Sequence, residues 1–268
     1  MPVTAASKLC LWRDSVLYLG DSFDPETHSH HAVQCCIALE GNLRIRWPGV
    51  ESWQSCRAAV IGANVSHSIA NPDGPLCLLY LEKTSNNFRS IMDYHCVTFG
   101  CDIRAEPLVL RQPVSTDILD TLRAARLAQV TPQRAEDLKQ TCLQLFHGNI
   151  AEPLPLDSRI AKILVHLHQD PGTSFTGSEL ADIACLSPSR MQHLFKQQIG
   201  IPVRKYILWT RLRHVLELAL GGTSLTSSSH QSGFSDSAHF SRTFRSMFGL
   251  APSLLLTANT GLTPVFCG

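Results

Sequence analysis

A chain of 268 residues, 44% hydrophobic and 17% charged, is long enough for two packed domains and too apolar to stay unfolded. Its formal net charge of +1 hides an uneven distribution. Residues 1–156 carry 13 Lys/Arg against 16 Asp/Glu, whereas residues 157–268 carry 10 against 6. The basic second part suits an anionic partner. No stretch approaches the roughly 20 apolar residues of a membrane span, and "MPVTAASKLCLWRDSV" lacks a long apolar core, so the expectation is a soluble, cytoplasmic protein with no membrane partner. The ten cysteines (10, 35, 36, 56, 77, 96, 101, 142, 185 and 267) form no CxxC pair and no regular framework, as expected of free thiols in a reducing compartment. Cys96-x4-Cys101 is a weak metal or redox spacing, and buried, inert thiols are the stronger reading.

Residues 8–105 read as short strands. "VLYLG", "AVQCCIAL", "LRIRW", "AAVIG" and "LCLLYLE" are β-rich runs, broken by turn residues at Gly41-Asn42, Pro48-Gly49, Gly62-Ala63-Asn64 and Asn71-Pro72-Asp73-Gly74. Such spacing predicts a sandwich or barrel. From Pro113 the period changes: Ile118, Leu119, Leu122, Ala125 and Leu127 recur as on a helix, and Pro132 opens a second helix that Gly148 ends. These two helices can pack on the β domain or on a partner chain. "EPLPLDS", with two prolines in three residues, reads as a linker.

The rest reads helical. Ile160, Ile163, Leu164 and Leu167 form a stripe. Ser178 to Ala184 makes a short helix, Cys185-Leu186-Ser187 a turn, and Ser187 with Pro188 starts the next helix. That helix turns Met191, Leu194, Phe195 and Ile199 inward and Ser189, Arg190, Gln192, His193, Lys196 and Gln197 outward, a helix-turn-helix pattern. "GFSDSAHFSRTFRSMFGLAP" repeats it. Phe240, Phe244 and Phe248 share one face, and His239, Ser241, Arg242 and Arg245 stand on the other. Phe195 matches Phe244, Lys196 matches Arg245 and Gly200 matches Gly249 at an offset of 49; ahead of the turn the offset is 48. Between the copies, "VRKYILWTRLRHVLELAL" makes a helix of about 27 Å. It can hold two recognition helices roughly one DNA turn apart, ~34 Å.

These residues carry a resemblance. Leu180-Ala181 through Phe195-Lys196 and Gly200, "YILWTRLRHVLELAL" and "GFSDSAHFSRTFRSMFGLAP" resemble the DNA-binding domain of the AraC/XylS family of bacterial transcription regulators. The last segment is close to the family signature. The N-terminal part resembles, more weakly, that family's cupin-like sensor domain. The resemblance implies an α+β multidomain chain: a cupin-like β-barrel over 1–110, a helical coupling or dimerisation segment over 111–150, a linker over 151–158, a DNA-binding domain with two helix-turn-helix units over 159–258, and a tail over 259–268. It implies an effector-responsive regulator rather than an enzyme. Promoter double-stranded DNA, a small-molecule effector, RNA polymerase and a second copy of the chain are the expected partners. One departure stands out. Where the family places an apolar, alanine-bearing helix before Gly-Phe, this chain has "SLTSSSHQSGF", with Ser228 and Ser229 in place of a large apolar residue and Ala. The second unit is expected to be loosely held.

Matched onto the family positions, Ser189, Gln192 and His193 resemble the base-facing set of the first recognition helix. Ser237, Ala238, Ser241 and Arg242 resemble that of the second. Gln192 suits adenine and Arg242 suits guanine. Arg190, Lys196 and Arg245 are placed to reach phosphate, and His239 reads equally as a groove contact or a plain surface histidine.

In the first domain, "DPETHSHHAVQCCIALEGNLRI" and "IGANVSHSI" resemble the two cupin motifs. His28, His31, Gln34 and His67 are the expected effector-binding set. His28, His30 and His67 would supply three imidazoles to a metal, but Gln34 stands near where a metal-binding cupin offers Glu. No metal and no cofactor is therefore expected. Two other readings stay open: a metal-binding cupin enzyme with a DNA-binding tail, and a regulator whose impaired second unit makes it act through a protein partner.

Overall fold

The computed structural model describes residues 7–22, 27–82, 85, 87–88, 91, 106–146, 156–249, 251–253 and 262–267. The chain divides into two compact units, residues 1–153 with 245–268, and residues 154–244. The expected ending of a helix at Gly148, most of the expected linker, and the Cys96–Cys101 pair lie outside the described residues.

The first unit is built on β1 (Lys8–Leu11), β2 (Ser15–Gly20), β3 (Val33–Ala38), β4 (Leu43–Arg46), β5 (Gln54–Cys56), β6 (Ala58–Ile61), β7 (Ser68–Ala70), β8 (Leu76–Leu81), β9 (Leu108–Leu110) and β10 (Thr263–Phe266). One sheet runs β10-β1-β2-β8-β3-β6-β9 and a smaller one β5-β4-β7. The central strands β2, β3 and β8 are buried along their whole length, which is why they read as continuous apolar runs. Strand β4 alternates buried and exposed residues, as a strand with one wet face must. β10 pairs in parallel with β1, Lys8 opposite Thr263 and Leu11 opposite Phe266. The residues set aside as a tail thus contain an edge strand, with Val265 in the core of this unit.

Helices α1 (Thr116–Leu127) and α2 (Pro132–Phe146) belong to the same core. Leu119, Leu122 and Ala125 of α1 and Leu138, Cys142, Leu143 and Phe146 of α2 join Leu17, Leu19, Val60 and Leu79 from the sheet. Leu127, expected on the apolar face, is 74% exposed beside the helix end. Ser115 caps α1 by accepting from the Asp117 amide. Lys139 lies over the Trp12 ring at 4.3 Å and pairs with Glu136 at 2.7 Å. Cys10, Cys35, Cys36 and Cys77 are buried, and burial raises the thiol pKa of Cys10, Cys35 and Cys36, so these sulfurs are protonated and unreactive.

The second unit is helical: α3 (Ser158–Gln169), α4 (Gly177–Ile183), α5 (Pro188–Ile199), α6 (Val203–Leu220), α7 (Leu225–Gln231) and α8 (Ser237–Phe248), the last running past the unit's boundary at 244. The apolar stripe of α3 packs with Leu180, Ala181, Met191, Leu194, Phe195 and Tyr206. Trp209, Leu212, Val215 and Leu216 continue the buried side of α6, and Phe234, Phe240 and Phe244 are buried with rings of neighbouring phenylalanines 5.6–5.7 Å apart. Phe248, read from sequence as the third of that row, is only half-buried.

Candidate functional site

Helices α4 and α5 are set by local chemistry. Thr176 Oγ1 accepts from the Glu179 amide and the Glu179 carboxylate accepts from the Thr176 amide, a reciprocal capping box. Ser187 caps α5 by accepting from the Arg190 amide, with Pro188 in the first turn where no amide is needed. The turn between them needs one left-handed residue. It is Cys185, at φ +52°, an uncommon conformation for a residue with a Cβ. Helix α5 ends on Gly200 at φ +85°, whose amide donates to Lys196 O.

Forty-eight residues on, the same bonds recur. The Cys185 and Leu186 amides donate to Asp182 O and Ala181 O; the Gly233 and Phe234 amides donate to His230 O and Ser229 O. After the turn the offset becomes 49, because Ser235 is the extra residue. Met191 N donates to Ser187 O, and Phe240 N to Asp236 O. Gly200 N donates to Lys196 O, and Gly249 N to Arg245 O, both at 2.8 Å. Asp236 caps α8 by accepting from the His239 amide at 2.6 Å, and that bond holds its carboxyl below the ordinary range.

The serine-rich segment does form a helix, α7, capped by Ser224. Ser228, Ser229 and Ser232 are fully buried, where the first unit has Leu180, Ala181 and Ala184. Their hydroxyls turn back on the chain. Ser229 Oγ donates to Leu225 O at 2.7 Å, Ser232 Oγ to Ser228 O at 2.8 Å, and Ser228 Oγ to Thr223 O at 3.4 Å. Each buried hydroxyl is thereby satisfied, but with little of the packing that a methyl or isobutyl group supplies.

Ser189, Arg190, Gln192, His193 and Lys196 are all exposed on α5, and Ala238, Arg242 and Arg245 on α8. Ser237, His239 and Ser241 are half-buried. His239 Nδ1 lies 3.3 Å from Ser235 Oγ and its ring packs edge-on against Phe234. The Ser241 hydroxyl donates to Ser237 O. One positioning residue gives no sequence signal: Arg211 of α6. Its guanidinium donates to Gly233 O at 2.9 Å, to Ser174 Oγ at 3.0 Å and to Thr173 O at 3.3 Å. It ties the second turn to the loop ahead of α4. In sequence it is one of several basic residues on a long helix.

In the first unit, His28, His30, Gln34 and His67 converge. His28 and His67 exchange backbone hydrogen bonds of 2.9 Å. His30 Nε2 and His67 Nε2 lie 2.8 and 3.0 Å from Gln34 Oε1. Gln34 holds its place on central strand β3, opposite Ile61 and Tyr80. The cluster is closed to solvent: His28 is 6% exposed, His30 3%, and Gln34 and His67 0%. His31 is buried as well. Burial, reinforced by His28 beside it, pushes His30 down to about 4, and burial with the neighbouring histidines lowers His67. Two surface grooves of this unit, of about 480 and 890 Å3, are lined by other residues, the larger by Trp47, Gln54, Arg57 and Leu108 among others.

Two capped helix pairs, each with a tight turn and a polar outward helix, on one connecting helix define a tandem helix-turn-helix DNA-binding module. Residues 180–258 match the helix-turn-helix domain family. The chain is 24% identical over 233 residues to the probable transcriptional regulator LumQ of Photobacterium leiognathi, covering 84% of this chain and 90% of that one. It is 34% identical over 101 residues to the arabinose operon regulatory protein of Salmonella typhimurium, spanning 37% of this chain and 36% of that relative. The fold as a whole is similar to apo ToxT from Vibrio cholerae, with a TM-score of 0.58 at 13% identity over 92% of this chain and 99% of that one; ToxT has also been solved with an unsaturated fatty acid bound. An N-terminal β-sheet domain is joined to a C-terminal helix-turn-helix domain of AraC type, and the relatives it resembles are transcriptional regulators. Among the described residues no helix is long and apolar enough to cross a membrane.

Proposed function

We propose that this regulator reads promoter DNA through the outward faces of both α5 and α8, without a catalytic step of its own. The observation that carries the reading is the bond-for-bond repetition of the two units, down to the glycine that ends each outward helix. Gln192, His193, Ser189, Ser237, Ala238, Ser241 and Arg242 face base edges, and Arg190, Lys196 and Arg245 face phosphates. The cupin-like sheet domain receives a small-molecule effector, as ToxT receives its fatty acid, and pairs with a second copy of the chain; RNA polymerase is the further partner.

Two substitutions in the full chain test the DNA reading. Arg242→Ala should weaken specific binding by about 1–3 kcal/mol and relax the preference at one base position. Unchanged affinity with an unchanged preferred sequence contradicts the assignment. Lys196→Ala should weaken binding to all sequences alike and reduce the salt slope by about one. A slope equal to the parent's removes the phosphate role.

A further inference from the structure

The histidine cluster is closed to solvent, whereas the larger surface groove of the sheet domain, about 890 Å3, is open to it. Two strand edges border this groove. β9 ends the seven-stranded sheet and pairs only with β6, and β5 ends the smaller sheet and pairs only with β4. Residues of both strands line it. Trp47, Val50, Leu108 and Leu110 are half-buried there, so the groove carries an apolar wall already partly withdrawn from water. Concavities of ~300–1,000 Å3 with apolar walls and a few placed polar groups are the usual seats of small molecules.

The charges of the groove do not balance. Arg57 and Arg111 line it against one carboxylate, Glu106. Neither arginine has a carboxylate within ion-pairing distance among the described residues. Arg57 is fixed at the bend between β5 and β6. Its guanidinium donates to Leu39 O at 3.0 Å and to Gly41 O, and its own carbonyl accepts from the Ala38 amide at 2.9 Å. Arg123 donates to the same Leu39 oxygen at 3.1 Å, so two guanidinium groups meet at one carbonyl. Asp120 neutralises Arg123 at 2.9 Å; no carboxylate among the described residues pairs with Arg57. Burial, and then the Arg123 charge, lower the Arg57 pKa, a shift that Glu40 opposes. A fixed, half-buried guanidinium with spare N–H groups and no counter-ion is a receptor for an anion, because its planar fork pairs a carboxylate through two parallel N–H···O bonds.

We propose that the groove between β5 and β9 is a binding site for an organic carboxylate with an apolar body. The carboxylate pairs with Arg57 and Arg111, and the body lies along Trp47, Val50, Leu108 and Leu110. One excess positive charge matches a monoanion, and the lining residues include no helix N-terminus of the kind that serves a phosphate. The site shares no residue with the His28, His31, Gln34 and His67 set expected from the sequence. The inference rests on reading the sheet domain as the receiver of a small molecule, and gives that molecule a chemistry and a place.

The test is isothermal titration of the full chain with two probes, naphthoate and hydrocinnamate, each beside its neutral amide. At least one carboxylate should bind at a single equivalent, with its amide weaker by ~10-fold or more. Arg111 is exposed and has no partner among the described residues, so Arg111→Gln should cost ~10-fold in affinity and leave the thermal midpoint unchanged. Arg57→Gln should cost at least as much. Glu106→Gln removes the like charge and should tighten binding, a gain that misfolding cannot produce. Arg44→Gln, at an exposed residue of β4 outside the groove, should change nothing. Failure of both carboxylates to bind at a single equivalent, amides that bind as well, unchanged affinity in Arg111→Gln, or a Glu106→Gln variant no tighter than the parent overturns the proposal. DNA affinity with and without the carboxylate separates the site from the effector reading. Binding that leaves DNA affinity unchanged supports the site and contradicts the effector role. A DNA response that persists in Arg57→Gln and Arg111→Gln supports the effector role and overturns the site.

Discussion

The two helix-turn-helix units share a backbone and differ in what fills them. The first is held by packing: Leu180, Ala181 and Ala184 are buried against Met191, Leu194 and Phe195. The second puts Ser228, Ser229 and Ser232 at the corresponding buried positions and holds them by hydroxyl bonds to its own carbonyls. The turns differ in the opposite sense. The first strains a cysteine into the left-handed region, where the second has Gly233 at φ +78°. Each unit thus has one optimised part and one costly part. The outward helix, which is common to both, is preserved in each. A fold tolerates loss of apolar packing where hydrogen bonds are fully satisfied, because an unsatisfied polar group, not a missing methyl, is the steeper penalty.

Exchanging the parts sharpens the comparison. The largest effect is expected from Leu180→Ser, which gives the first unit the second unit's interior. It removes a buried isobutyl group and adds a hydroxyl, and should destabilise the helical unit by about 3–4 kcal/mol in a denaturant melt of the full chain. A loss under ~1 kcal/mol means that the two interiors are equivalent. Next is Gly233→Ala. The added Cβ would stand 2.7 Å from Gly172 O and 2.9 Å from the Arg211 guanidinium carbon, in a left-handed conformation. The expected cost is ~2–3 kcal/mol, with DNA affinity falling alongside stability. Smaller and opposite in sign, Cys185→Gly should stabilise by about 0.5–1 kcal/mol, since glycine is free at φ +52°. Smallest is Ser229→Ala, which copies Ala181 into the second unit; better helix propensity should raise stability by roughly 0.5 kcal/mol. A loss on that change would show that the serine-to-Leu225 bond contributes net stability.

Legibility in the sequence followed the strength of the local pattern. Strands β2, β3, β4, β6 and β8 and the helices other than the serine-rich α7 stand out by period, helped at several starts by caps such as Ser115, Thr176, Ser187 and Asp236. Strands β5, β7 and β9 have only three residues each, too few to show alternation. β10 was invisible for another reason: its partner β1 lies about 250 residues earlier, and a four-residue edge strand is specified by the partner's unpaired edge rather than by its own sequence. The outward faces of α5 and α8 followed from the apolar period alone. The histidine cluster was legible as a set. Its closure from solvent and the meeting of the His30 and His67 rings at Gln34 were not, since they depend on the pairing of strands distant in sequence. Arg211 was missed because its three acceptors lie on segments distant from it in sequence.

The central claim, that both units read DNA despite the serine interior of the second, is tested most directly by selecting binding sites for the full chain from a random duplex pool and footprinting the winner. Two conserved boxes about one helical turn apart, ~34 Å, both protected, are the predicted result. A single protected box, or binding without sequence preference that disappears at moderate salt, would contradict it and leave the outward face of α8 to a partner other than DNA.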